Sequence, residues 1–196
     1  MKNILKICEA HKLWVGTAGK QGKQLSLDET DMRTIEIKSP MLEQAYYSAC
    51  KFSGMDFDNI DFYQSELYSC DFTNAKFSNC DFRKCVLDYS NFTGATFIDC
   101  KFPRTDAFQT CFNNCSFNNC SFVGFNIMEG SLNCAKCESC DFDAIYLDKV
   151  STENFELKNA TNLDKVNHVS LCIASDQLIE GENAIRWLTV KSNCTY

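Results

Sequence analysis

The chain has 196 residues, of which 45% are hydrophobic and 23% charged, enough to bury one core and too apolar for a disordered chain. A net charge of −7 disfavours direct nucleic-acid binding, which needs lysine and arginine against the phosphates, and leaves basic proteins open as partners. No stretch approaches the ~20 apolar residues of a membrane span, and fourteen cysteines without a secretory segment read as free thiols of a reducing, cytoplasmic setting rather than as a disulfide framework.

From the N-terminus, the short apolar run of MKNILKIC ends at Glu9. Ile4, Ile7, Cys8, His11, Trp14 and Val15 follow a helical spacing, so residues 1–24 are expected to form a helical cap.

From residue 25 to 160 the chain falls into fives, plainest after Asp56: DFDNI DFYQS ELYSC DFTNA KFSNC DFRKC VLDYS NFTGA TFIDC. A register running from Leu27 through Met32, Ile37, Leu42, Tyr47 and Phe52 to Leu157 has 27 positions, and all but Ala107, Cys137 and Thr152 hold a large apolar side chain. Thirteen of the 16 phenylalanines lie on it, so the period is not an accident of composition. Five matches neither a helix at 3.6 nor a strand at 2; each pentapeptide must instead turn one corner. Comparing every fourth centre shows the longer period. Leu67 and Leu87 belong to a series without phenylalanine, whereas the other three run Phe52, Phe72, Phe92, Phe112; Phe57, Phe77, Phe97, Phe117; and Phe62, Phe82, Phe102, Phe122, Phe142. Twenty residues per coil with like above like predicts a square β-solenoid. About six and a half coils would rise roughly 30 Å at the ~4.8 Å strand spacing.

The residue two before each centre is expected to face inward as well, and it is small at most positions, as at Thr30, Ala45, Cys50, Ser65, Cys85, Ser90 and Cys115. Cys80, Cys100, Cys120 and Cys140 share one such column. Stacked thiolates could hold a metal; as thiols in a phenylalanine lumen they read instead as small apolar core residues in place of alanine. The run Cys134, Cys137, Cys140 has metal-ligand spacing, yet the repeat register turns its members in different directions. Asp56, Asp61, Asp71, Asp81 and Asp141 precede central residues and are expected to bond nearby backbone at the turns rather than to act as acid and base. His11 and His168 lie outside the repeats, and neither accompanies a nucleophile or zinc motif. No catalytic, cofactor or metal residue is therefore assigned.

After Ala160 the register fails: Asn162 stands at a central position and Leu163 comes one place late. A helix is expected to begin near Ser175 and to carry Leu178, Ile179, Ile185, Trp187 and Leu188. Residues 161–196 thus read as a second cap, with Leu178, Ile185, Trp187 and Leu188 contacting either the solenoid or a second copy.

With its five-residue period and central Leu or Phe, the segment from about 25 to 160 resembles the pentapeptide repeat family, whose motif is A(D/N)LXX; cysteine replaces the usual alanine here and Phe outnumbers Leu. His11, Trp14, Gly19 and Gly22 in HKLWVGTAGKQGKQL resemble a lead-in found in bacterial members. The resemblance implies an all-β fold, a right-handed quadrilateral β-helix of about 6–7 coils with short helical caps, and in some members pairing through the C-terminal end, so that a monomer and a homodimer both stand. It also implies a non-enzymatic role through a protein partner, since some members occupy the DNA-binding saddle of DNA gyrase and relieve topoisomerase poisons.

Between Ser26 and Ala160 there are 21 acidic and 11 basic residues. The net of about −10 over roughly 30 Å is one charge per ~3 Å, against one per ~1.7 Å along duplex DNA. Three readings follow: a DNA-mimicking modulator of gyrase or topoisomerase; an interaction scaffold, such as an immunity or effector accessory protein, that binds without mimicry; and a thiol or metal protein built on the cysteine column.

Overall fold

Each pentapeptide makes a corner by placing one residue in the left-handed region. In the computed structural model, which describes residues 2–35, 42–175 and 177–193 and only the backbone of 2–5, every fifth residue from Gln44 to Asn159 has positive φ. Ile37 and the Ile4 side chain fall outside the described residues. Asparagine and glycine reach this region at least cost, which accounts for Gly54, Asn59, Asn74, Asn79, Gly94, Asn114 and Asn119 there. Bulky Tyr89, at φ 62°, occupies the same kind of corner.

Four corners close one turn of a β-solenoid of about seven turns. The first face carries the parallel strands Ser26–Asp28, Tyr46–Ser48, Glu66–Tyr68, Asp106–Phe108, Asn126–Met128 and Tyr146–Ser151, joined across Val86 by single bridges. The third carries Asp56–Asp58, Lys76–Ser78, Thr96–Ile98, Ser116–Asn118, Lys136–Glu138 and Glu156–Lys158 in one parallel six-stranded sheet. The second and fourth faces are held by isolated parallel bridges, such as Asp71↔Asn91 and Asp81↔Lys101. Partners stand twenty residues apart, so each side chain lies above its counterpart, as in Phe57↔Phe77↔Phe97↔Phe117.

The lumen is lined by the central residues. Phe52, Phe57, Phe62, Leu67, Phe72, Phe77, Phe82, Leu87, Phe92, Phe97, Phe102, Phe112, Phe117, Phe122 and Phe142 are all buried. Rings in one column stack at 4.8 Å and 6° for Phe57 on Phe77, and at 4.7 Å and 5° for Phe97 on Phe117. The strand spacing imposes this near face-to-face packing, which ring quadrupoles do not favour. Edge contacts between columns offset it, such as Phe77 against Phe82 at 5.3 Å and 68°. Large residues in the small register fill the lumen at particular places. Thr152 is preceded by buried Val150, and buried Phe125 in the small register stacks on Phe102 at 5.1 Å, which keeps the core filled.

Helix α1, Lys2–Gly16, covers the first coil through His11, which is fully buried. The Leu25 N–H donates to His11 Nδ1 at 3.0 Å and Nε2 lies 2.8 Å from the Glu43 carbonyl. The ring must therefore be neutral, with its proton on Nε2. Burial pushes the His11 pKa below its usual 6.5. A lowered histidine pKa means that the folded cap binds fewer protons than the unfolded chain. Cap stability should be flat above about pH 6.5 and fall as pH drops below it. Melting followed by Trp14 fluorescence, in the wild type and in His11→Gln, measures this; a wild-type profile unchanged down to pH 5 would contradict it.

At the other end the repeat changes length. Tyr146 pairs with His168, twenty-two residues on, after a single 3-10 turn at Leu163–Lys165 whose Leu163 is buried, and a bulge follows between Leu147 and Val150. The strand His168–Ala174 then continues the first face. The helix expected from Ser175 begins instead at Gly181, because Gln177–Glu180 is a strand antiparallel to His168–Ala174 with Leu171 opposite Ile179. Helix α2, Gly181–Asn193, closes the stack by supplying acceptors to open backbone: Ala160 N–H donates to Ser192 Oγ at 2.8 Å and Asn159 N–H to the Ser192 carbonyl at 3.3 Å. No helix among the described residues is long and apolar enough to cross a membrane.

Candidate interaction surface

The inward chemistry resolves first. Cys80, Cys100, Cys120 and Cys140 are buried in one column, and each thiol lies 3.5–3.6 Å from the central carbonyl of the coil below, as Cys100 Sγ does from Phe77 O. Thr105 and Ser90 hydroxyls make the same bond, to Phe82 O at 2.7 Å and Leu67 O at 2.6 Å. Cysteine here is thus a weak donor to lumen backbone as well as a small core residue, a role that size patterning does not show. Burial pushes the Cys85 and Cys115 thiols up, and hydrogen bonding to Cys100, then burial, does so for Cys80. Cys134 lies exposed at a corner while Cys137 and Cys140 sit in the lumen, so the three sulfurs do not converge. Among the described residues no group of three His, Cys, Asp or Glu is placed to hold a metal. In a timed reaction with an aromatic disulfide, Cys134 should label at once, and Cys80, Cys100, Cys120 and Cys140 only on unfolding; rapid native labelling of that column would overturn the packing role.

Asp61, Asp71, Asp81 and Asp141 each accept the backbone N–H two residues on, at 2.7, 3.0, 2.9 and 3.1 Å. These lie on the bridge faces, where that N–H is not spent on a ladder. Asp56, on the third face, faces Lys76 at 3.8 Å instead.

The four outer faces differ. Outward positions are those one before, one after and two after each centre. Along the first face these hold seven acids, Asp28, Glu29, Glu66, Asp88, Asp106, Glu129 and Asp148, against one base, Lys149. The same face carries Tyr46, Tyr68, Val86, Phe108 and Met128, all half-buried, and Tyr89, which is 53% exposed. Tyr46 meets Tyr68 at 5.7 Å, and Tyr89 meets Phe108 edge-on at 5.5 Å. Each of the other faces pairs some of its charges: Arg33 with Asp31 at 2.6 Å on the second, Lys136 with Glu156 at 3.0 Å and Lys158 with Glu138 at 2.8 Å on the third, Arg83 with Asp81 at 3.2 Å on the fourth. Arg83, Lys84, Lys101 and Arg104 form the basic part of the fourth face. There the Arg83 guanidinium sits 4.9 Å over the Tyr63 ring. Among the described residues no acid of the first face pairs with a lysine or arginine; Asp148 lies 3.4 Å from His168.

At the C-terminal end, Leu188 is buried, while Ile185 and Trp187 are partly buried against the core. Leu178 stands apart, half exposed on the last strand. Between α2 and the third face lies a groove of about 950 Å³ lined by Lys136, Glu138, Lys158, Trp187, Val190 and Lys191, with Lys191 Nζ donating to the Phe155 carbonyl at 2.8 Å.

Comparison with known proteins places this architecture. Eight copies of the model described as pentapeptide repeats match, over residues 45–83, 65–104 and 75–114 among others. No curated protein matches the chain. Among solved structures, it is similar to HetL, a pentapeptide repeat protein involved in heterocyst differentiation regulation from the cyanobacterium Nostoc sp. strain PCC 7120, at 15% identity over 76% of this chain and 90% of that one, with a TM-score of 0.39. It is likewise similar to QnrB1, a plasmid-mediated fluoroquinolone resistance protein, at 13% identity over 78% and 92%, TM-score 0.38. A pentapeptide repeat protein of the Arabidopsis thaliana thylakoid lumen shares 20% identity over 56% and 72%, TM-score 0.31. Repeat matches, four-sided coils and the twenty-residue register agree: the chain belongs to the pentapeptide repeat family.

Proposed function

We propose that this protein is a non-enzymatic, cytoplasmic binding protein that presents its acidic solenoid to a protein partner, with DNA gyrase or another topoisomerase as the specific candidate through mimicry of duplex DNA. The observation that supports the reading is a β-solenoid whose repeat carries a net charge near −10 between Ser26 and Ala160, with its large central residues committed to the lumen. Such a solenoid competes for a DNA-binding saddle by its field, and that competition must weaken with salt. A supercoiling assay of DNA gyrase with and without a fluoroquinolone, at low and moderate salt, tests it. Protection or inhibition that fades with salt is expected; no effect at micromolar protein would remove the gyrase candidate.

The second reading is an interaction scaffold, an immunity or effector accessory protein. The uneven spread of charge favours it, since the cations of the fourth face interrupt what a DNA mimic would keep acidic. Its binding would persist at moderate salt. Pairing of two copies through the half-exposed Leu178, with Leu188 kept in the cap, belongs to either reading, and sedimentation of the wild type against Leu178→Asp decides it.

A further inference from the structure

We propose that the first face is the docking surface, and that it takes an arginine-rich segment of a protein partner. The inference rests on the reading of this chain as a binding protein and deepens it by naming the face and the chemistry.

Three observations carry it. First, charge is asymmetric: the first face holds seven acids and one base, whereas each of the other three nearly balances its charges. Second, those acids lack a lysine or arginine partner among the described residues, whereas each of the other faces holds at least one carboxylate paired with an arginine or lysine of the chain. Third, most of the aromatic and apolar side chains at outward positions lie on this same face, with Tyr89 more than half exposed and Tyr68, Phe108 and Met128 half-buried, while Ile98 on the third face and Tyr63 on the fourth stand outside the group.

The molecule already shows what such a combination holds. On the fourth face Arg83 lies 4.9 Å over the Tyr63 ring of the coil below and 3.2 Å from Asp81, a guanidinium held by an aromatic face and a carboxylate together. The first face repeats the two halves of that site without the arginine: Tyr68 beside Glu66 and Asp88, and Tyr89 next to Asp88. Guanidinium suits them better than ammonium, because it is planar, weakly hydrated and able to stack on a ring while bridging a carboxylate. Because the coils repeat at about 4.8 Å, successive sites stand at a spacing that an extended or helical basic segment can span.

The test uses the full chain, ¹⁵N-labelled, titrated with nona-arginine and nona-lysine peptides at moderate salt. Shifts should map to the first face, with nona-arginine bound about threefold more tightly than nona-lysine. Tyr89→Asn should erase much of that preference without unfolding the corner, since asparagine tolerates its positive φ. The variant Glu66→Gln/Asp88→Asn/Asp106→Asn keeps the side-chain acceptors of Phe108 N–H and Asn126 Nδ2 and should weaken both peptides on the order of tenfold. The matching third-face variant, Asp56→Asn/Asp58→Asn/Asp99→Asn, should change little. Shifts on another face, or equal losses from the two triple variants, would overturn the face assignment alone. Absence of shifts with either peptide at low salt would overturn the wider binding reading and this inference with it.

Discussion

Phe97→Ala is expected to destabilise the solenoid by ~3–5 kcal/mol, as an unrelaxed aromatic cavity does. Phe97 is fully buried between Phe77 at 4.8 Å and Phe117 at 4.7 Å, with Phe92 and Phe102 against its edges at 5.8 and 5.5 Å. Neither the coil above nor the coil below can move in to fill the space, because the backbone ladder fixes their separation. Phe97→Leu should cost less, roughly 1–1.5 kcal/mol, since leucine already serves as a centre at Leu67 and Leu87 and volume is largely kept. Urea unfolding followed by circular dichroism measures both. If Phe97→Ala cost under about 1 kcal/mol, a collapsible lumen would be implied and the ladder would not set the core geometry. Coils contact only their neighbours, so the loss should also split the transition into two partly independent halves.

Gly22→Ala is expected to undo the N-terminal cap while leaving the coils folded. Gly22 has φ +80°, and a Cβ there would lie 2.1 Å from the Ala10 carbonyl oxygen and 2.7 Å from the Trp14 backbone nitrogen. Both are backbone of α1, so no side chain can give way; the helix must lift, breaking the bonds from His11 to Leu25 and Glu43. Limited proteolysis should cut within residues 2–24 of the variant and not of the wild type, with a red shift of Trp14 emission. Gly54→Ala is the control. Its φ is +70° yet nothing lies within 4 Å of the added Cβ, so only the backbone cost of ~1–2 kcal/mol applies. Intact α1 packing in Gly22→Ala would show that the turn at residues 17–24 does not set the helix position. With the cap lifted, the first coil offers bare strand edges, and light scattering should detect end-to-end association.

The period of five, the coil of twenty and the identity of the lumen residues were legible because each buried position recurs with one side-chain type. The corners were legible in part: Asn59, Asn79, Asn114 and Asn119 are turn-forming types, but their common cause, one left-handed residue per corner, also holds Lys84, Tyr89 and Arg104, whose types do not announce it. The final strand was misread as helix because Leu178 and Ile179 in a four-residue element give no period to distinguish strand from helix, and its pairing with His168–Ala174 is tertiary. The charge asymmetry was present in the sequence. It emerges only when outward residues are sorted by face instead of being summed along the rod. His11 was placed in the cap, but its two backbone partners, Leu25 and Glu43, come from separate segments that spacing could not bring together.

The twenty-residue register makes the molecule a ruler graduated in whole coils. Excising residues 87–106 would remove one graduation and rejoin like to like, Val86 to Ala107 in place of Leu87, with both caps untouched; adding a coil would lengthen the rod by about 4.8 Å. A change of length that is not a multiple of five would put polar residues into the lumen. The twenty-two-residue step from Tyr146 to His168 is the end stop of that ruler, where the count is broken so that no further coil can be added in register.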